Sequence, residues 1–357
     1  MLTVLCPVTE LPSAVPGHLL FGSGYFEEVA REDYGKDVSV RYLLYPKRRR
    51  GAMGMLLLNV VLAFRIMARR HDVLYFRIDP DPLLLLSVLK RMGIYRKPIY
   101  AWKYTPVGRT GNRLKDWVKR LTHSGFTKIF MVTENHVGES VRHGIMRSEQ
   151  LEYLRWGEDL RYVDSMRRDK DEVFTFITTG KAHRDMKTLC EAFSRVKGAR
   201  LKIFTVRRWA DYDYSDYLSK VDNDRIEVVY SDEIRLTEGC RTVLDFLFTE
   251  IHRSSCALSI CLPVNFGVGY TQVLDSMACG VPVIATQNPD NPIDLDSEDV
   301  GVTVPPADPE ALAEAMCRFV GHPDLVRRKG EAARRLIESH YNIRQTAHQV
   351  LGYVLTD

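Results

Sequence analysis

Short apolar runs alternate along the chain with longer stretches whose apolar residues recur every three or four positions. The short runs read as strands buried on both faces and the longer ones as amphipathic helices. That alternation predicts parallel sheets covered by helices on each side. In the first half the predicted strands are Leu2 to Cys6, Val38 to Leu44, Val73 to Arg77, Pro98 to Trp102 and Lys128 to Thr133. In the second half they are Val173 to Thr178, Leu201 to Val206, Ile226 to Tyr230, Ala257 to Cys261 and Val281 to Thr286. The charged, aperiodic segment from Arg161 to Glu172, RYVDSMRRDKDE, is expected to link the two sets. From Asp308 onward the spacing turns helical, with Asp308 as N-cap and Pro309 at the first helical position.

A chain of 357 residues exceeds what one core usually organises. The expected class is therefore α/β, with two Rossmann-like doubly wound domains: 1–165, 166–340, and a last helix over 341–357 crossing back to the first. Hydrophobic residues at 45% and charged residues at 27% describe an ordinary globular protein and exclude a disordered or fibrous one. The opening MLTVLCPVTE has no basic residue before its apolar run and no cleavage pattern after it, so it reads as a first strand and not a signal peptide. The seven cysteines are scattered, with no Cys-x-x-Cys pair, which fits buried thiols in a reducing cytoplasm better than a disulfide frame or a zinc site.

Charge changes the picture. Up to Asp164 the chain has 26 Lys and Arg against 17 Asp and Glu, and the remainder has 24 against 29, so a net charge of +4 conceals +9 followed by −5. Much of the excess lies in KRRRGAMGMLLLNVVLAFRIMARR, Lys47 to Arg70. Its uncharged core, Gly51 to Phe64, is 14 residues long, short of the roughly 20 needed to span a bilayer. An apolar helix with basic ends suits the surface of an anionic membrane, on its cytoplasmic face. A buried helix with solvated ends fits the same pattern. Exposed aromatics interleaved with basic residues, or a known docking module, are not evident, so no nucleic-acid partner is expected.

Two strand exits carry candidate chemistry, because open parallel sheets bind ligands beyond the carboxyl ends of their strands. In TTGKAHRDMKTLCEAF, Gly180 would let backbone approach a phosphate, while Lys181 and Arg184 would neutralise a diphosphate. A basic surface turn has the same composition. In SICLPVNFGVGYTQVLDSMACGVPVIAT, a loop with Gly267 and Gly269 leads into a helix that would offer the amides of Tyr270 and Thr271 to an anion, with Asp275 further along within reach of ribose hydroxyls. The alternative is a solvated helix with turn glycines.

The second half resembles the donor domain of the retaining glycosyltransferases of family four, with the GT-B fold. Family members read E-G-F-G-x-x-x-x-E-A-M-A-x-G-x-P-V-I-A-T, which LDSMACGVPVIAT matches in its second part. GKAHRDMKTLCEAF resembles the family's phosphate loop, YLRWGEDL the close of its first domain, and Val300 to Tyr341 its post-motif helices. The resemblance runs from about Tyr153 to the end. It implies that Asp275 stands where the family's ribose-binding Glu stands, that Lys181 and Arg184 meet the diphosphate, and that Gly267 replaces a Glu that contacts the donor sugar, with Asn265 the nearest polar substitute. It also implies a glycine loop after the first strand facing the donor, for which Gly17 is the candidate. His18 beside it reads as a surface residue. The family's first-domain His has no counterpart in VLYFRIDPDP or PIYAWKYTP, where Arg77, Asp79 and Lys103 stand, Asp79 reading as a helix cap.

The activity implied by the resemblance is transfer of a sugar, with retention, from a nucleotide diphosphate sugar (UDP or GDP) to a saccharide or lipid-linked acceptor in surface polysaccharide or glycoconjugate assembly. The sites would lie in a cleft between the halves. Neither a metal nor another cofactor is expected. A catalytically silent binding partner of an active transferase, or a nucleotide-sugar epimerase, are the alternatives.

Overall fold

The computed structural model describes residues 1–10, 17–45, 51–77, 83–221, 224–237, 239–264 and 267–356, with Ala52 as backbone only. They form two compact units, 1–159 with 342–357, and 160–341.

The first unit is built on strands β1 (Leu2–Val8), β2 (Val38–Leu44), β3 (Val73–Phe76), β4 (Ile99–Lys103), β5 (Lys128–Met131) and β6 (Leu151–Tyr153). They pair in parallel in the order β2-β1-β3-β4-β5-β6. The five expected strands form with small shifts at their ends. The sixth, β6, is an edge strand too short to show as a run in the sequence. Helices α1 (Phe26–Tyr34), α2 (Ala52–Met67), α3 (Leu84–Arg91), α4 (Arg113–His123) and α5 (Glu134–His143) connect the strands. The core gathers Leu5, Leu62, Ile66, Leu74, Phe76, Leu86, Ile99 and Ile129 from strands and helices together.

The second unit has strands β7 (Phe174–Thr179), β8 (Ala199–Thr205), β11 (Ile226–Tyr230), β12 (Cys256–Ser259), β13 (Val283–Thr286) and β14 (Gly301–Val304), with a small hairpin of β9 (Arg208–Trp209) and β10 (Tyr212–Asp213). Its sheet is parallel, in the order β11-β8-β7-β12-β13-β14, so the strand order reverses between β7 and β12. Its helices are α6 (Leu160–Ser165), α7 (Met186–Ser194), α8 (Tyr214–Leu218), α9 (Val243–Arg253), α10 (Tyr270–Ala278), α11 (Pro309–Gly321) and α12 (Pro323–His340). The last helix, α13 (Ile343–Val354), belongs to the first unit. Asp308 caps α11 by accepting from the amides of Glu310 (3.1 Å) and Ala311 (2.9 Å).

One expectation is corrected at the start of this unit. The charged stretch read as a linker begins with the helix α6, because its polar groups find partners within the second unit. The Tyr162 hydroxyl donates to the Asp245 carboxylate, His252 Nε2 donates to the Val163 carbonyl at 3.1 Å, and Asp164 pairs with Arg334 at 2.8 and 2.9 Å.

Candidate functional site

The reversal of strand order between β7 and β12 leaves a crevice at their carboxyl ends, where the loops that follow turn to opposite sides. Gly180 follows β7 directly, with φ +114°, a conformation other residues rarely adopt. A Cβ there would lie 2.2 Å from Nη2 of Arg184. The loop is stitched to the exit of β12: Leu262 N–H donates to the His183 carbonyl (2.8 Å) and Asp185 N–H to the Ile260 carbonyl (3.0 Å). Asp185 then caps α7, accepting from the amide (3.0 Å) and hydroxyl (2.7 Å) of Thr188.

This stitching turns the Arg184 side chain inward, to 6% exposure. Its Nη2 donates to the Thr179 carbonyl at 2.8 Å and its Nη1 to the Cys261 sulfur at 2.7 Å, while its own amide donates to the Tyr214 hydroxyl at 2.9 Å. Among the described residues no carboxylate pairs with it, and Nε has no partner. A guanidinium so enclosed without a counter-charge is expensive, and an anion is the natural remedy.

Helix α10 adds backbone donors beside that charge. Its N-cap, Gly269, has φ +82° and supplies no side-chain cap, and the amides at the start of a helix carry its positive dipole end. A Cβ at Gly269 would come 2.4 Å from Ser259 Oγ and 3.0 Å from both Arg184 Nη1 and Cys261 Sγ. The guanidinium and the helix start therefore adjoin. Tyr270 is buried and Thr271 exposed at that turn. Asp275, in the same helix, is half-buried with Oδ1 enclosed, and its charge helps push the Tyr162 phenol up, after burial and the hydrogen bond to Asp245.

The other predicted residues fall around this core. Lys181 is exposed, its ammonium 5.6 Å from the centre of the Trp209 ring. Gly267 lies where an added Cβ would sit 3.2 Å from the Asp290 carbonyl oxygen. Asn265 lies outside the described residues, as does Asp79. His183, at φ +51°, meets Tyr212 edge to face at 6.0 Å, and Tyr212 stacks on Tyr214 at 6.5 Å. Beyond β8 and β11, Arg207 lies 4.3 Å from the Tyr230 ring centre and pairs with Asp232 at 3.2 Å and with Glu233. Sequence reasoning missed Tyr214, Ser259 and Cys261, which hold Arg184 and Gly269 in place. No local motif marks them.

In the first unit, Gly17 opens a short 3-10 turn and its amide donates to Asp159 Oδ2 at 3.2 Å, with the Tyr25 hydroxyl on Oδ1 at 2.6 Å. The expectation for His18 is corrected: the side chain is buried at 1% exposure, with Nδ1 3.1 Å from Glu158 Oε2. The Trp156 indole donates to the His18 carbonyl at 2.9 Å and helps enclose the residue. Burial pushes the His18 imidazole down to about 3. Arg77, after β3, reaches the Leu19 carbonyl (3.4 Å) and Thr9 Oγ1 (3.3 Å), and Lys103 is buried at the end of β4.

Comparison with known proteins fits this geometry. A glycosyltransferase from Rickettsia africae ESF-5 shares 14% identity at a TM-score of 0.70, over 99% of this chain and 97% of that one. Anabaena HepE in complex with UDP shares 11% at 0.69, over 100% of both chains. An Escherichia coli trehalose-6-phosphate structure bound with UDP-2-fluoro glucose shares 10% at 0.71, over 99% of both. The fold is thus the GT-B fold of glycosyltransferases. Residues 172–322, within the second unit, match the family model for Glycosyl transferases group 1. Among curated protein sequences none matches.

Proposed function

We propose that this chain transfers a sugar from a nucleotide diphosphate sugar to a saccharide or lipid-linked acceptor with retention, without a metal. The observation that carries the reading is Arg184, a buried guanidinium with no carboxylate partner among the described residues, beside the start of α10, where Gly269 supplies no side-chain cap. As the bond from the sugar to the diphosphate breaks, negative charge grows on the departing phosphate oxygens. Arg184 and the amides of Tyr270 and Thr271 would stabilise that charge, Lys181 would add to the local field, and Asp275 would accept hydrogen bonds from the ribose. In retaining transfer the departing diphosphate can itself take the acceptor's proton, so little acid or base is asked of the protein. The UDP and UDP-sugar complexes among the structural neighbours favour UDP as the base carrier. The chemistry suits polysaccharide or glycoconjugate assembly by a protein peripheral to the cytoplasmic face of a membrane.

The test is turnover of UDP-, GDP- and ADP-sugars with and without candidate acceptors, in chelator, with the anomeric configuration of the product read by NMR. Arg184→Ala should lower kcat by about a hundredfold, the value of one preorganised donor of about 3 kcal/mol. Inversion of the product, or turnover lost in chelator, removes retention or metal independence in turn. Gly267 in place of an acidic sugar contact supports a second reading, a silent binding partner. Tight UDP binding with no turnover on any acceptor would establish it, and release of an isomerised nucleotide sugar would establish an epimerase.

A further inference from the structure

We infer that the outward face of α2 is a docking surface for an anionic lipid bilayer, with Met53, Leu57, Val61 and Phe64 entering the headgroup boundary. Helix α2 has two apolar faces. Leu58, Leu62, Ala63 and Ile66 point into the core of the first unit and are buried. The opposite stripe, where a helix on a globular surface normally carries charged residues, is also apolar: Met53 is 77% exposed and Phe64 66%, with Leu56, Leu57, Val61 and Met67 exposed beside them. No charged side chain occurs in the helix before Arg65. At 16 residues α2 is about 24 Å long, and no helix of the described residues is long and apolar enough to cross a membrane. It can lie in an interface but not span it.

The patch extends beyond one helix. Helix α3 packs against both α2 and α4, so the three form one layer. In that layer α4 exposes Leu114 and Trp117, the latter to 57%, next to Arg113 and Lys115 in its first turns. Exposed Trp beside cations is the usual composition of a lipid headgroup contact.

Charge selects the occupant. Lys47, Arg48, Arg49 and Arg50 precede α2 in the sequence but lie outside the described residues; among those described, Arg65, Arg69 and Arg70 close the helix, the last two exposed. A second copy of the chain seated on this face would add its own exposed Arg69, Arg70, Arg113 and Lys115 to those already there, and like charges repel. Anionic phosphate headgroups would neutralise them while the acyl region takes up the apolar stripe. This deepens the membrane association proposed with the function, but its test does not depend on catalysis.

The full chain is floated with vesicles of phosphatidylcholine alone or mixed with phosphatidylglycerol, and its UDP affinity is measured in parallel. Wild type should float with the mixed vesicles and dissociate as salt rises. Leu57→Glu with Phe64→Glu should lower the partition by about tenfold or more, and Arg69→Glu with Arg70→Glu by about tenfold, all with UDP affinity unchanged. Flotation of the Leu57→Glu, Phe64→Glu variant equal to wild type overturns the inference. So does light scattering that shows a dimer dissolved by those substitutions while vesicle binding is absent. Failure of glycosyl transfer with vesicle binding intact would instead count only against the proposed reaction.

Discussion

At the scale of single residues, Gly269 concentrates the demands of the candidate site. It needs a positive φ, and it must admit Ser259 Oγ and Arg184 Nη1 at close range beside the start of α10. Gly269→Ala should therefore weaken UDP binding by about tenfold or more in titration calorimetry, a loss of about 1.4 kcal/mol. Gly138 is the control. It lies inside α5 with nothing within 4 Å of an added Cβ, so Gly138→Ala should leave binding alone and raise stability by up to about 1 kcal/mol. Equal effects of the two substitutions would sink the assignment of Gly269. His18 sets a second expectation. The imidazole ionises near 6.5 in the unfolded chain but only at about 3 when folded. Between those values the unfolded state binds the extra proton, so stability is fully present above about 6.5 and is lost as pH falls toward 3. Urea midpoints measured from about pH 7 down to about pH 5 should fall by an amount equivalent to about 2 kcal/mol from this residue. In His18→Gln the slope should flatten, and an unchanged slope would show that His18 already ionises in the fold.

At the scale of elements, capping decides how firmly the loop between β7 and α7 is held. Asp185 is buried and serves the first turn of α7 through both the amide and the hydroxyl of Thr188. Asp185→Ala should cost about 1 to 2 kcal/mol in thermal unfolding of the second unit, and Asp185→Asn clearly less, since an amide oxygen still caps. Equal losses for the two would mean that burial of charge, and not the cap, governs the position. Elements such as α11 with its Asp308 cap were legible in the sequence because their signals are local: periodicity, a cap, a proline. The strands with long apolar runs were legible for the same reason. What escaped is what only the fold creates. Strand β6, Leu151–Tyr153, is too short to form a pattern, and β14, Gly301–Val304, begins at a glycine. Helix α6 lies in a stretch that reads as a linker until Asp245, His252 and Arg334 arrive from distant parts of the chain. The site divides in the same way. Gly180, Arg184, Gly269 and Asp275 stand out by motif, whereas Tyr214 and Cys261 become partners of Arg184 only when β7 and β12 lie side by side.

At the scale of the whole molecule, the chain closes its first unit last. Helix α13 follows all of the second unit in sequence, yet it completes the fold of residues 1–159. Arg344 reaches Glu28 (2.9 Å), Glu32 (2.7 Å) and Asp33 (3.3 Å), and His348 Nδ1 lies 2.8 Å from Asp33. These groups are partly exposed, and such pairs contribute at most about 1 kcal/mol each, so they align the helix more than they hold it. The holding force is apolar: Ile343, Val350, Leu351 and Val354 are almost wholly buried, at about 1.5 to 3 kcal/mol apiece. Against a net stability of about 5 to 15 kcal/mol for a domain, losing them is decisive. Deletion of 342–357 should therefore abolish cooperative unfolding of the first unit, whereas Arg344→Ala should barely move its midpoint. The second unit keeps its own core and every contact described for Arg184. Limited proteolysis of the deleted chain should accordingly degrade the first unit and leave a resistant fragment starting near Leu160 that still binds UDP. Survival of an intact, protease-resistant first unit would mean that α13 is an accessory on its surface, and loss of UDP binding by the fragment would place essential nucleotide contacts outside residues 160–341.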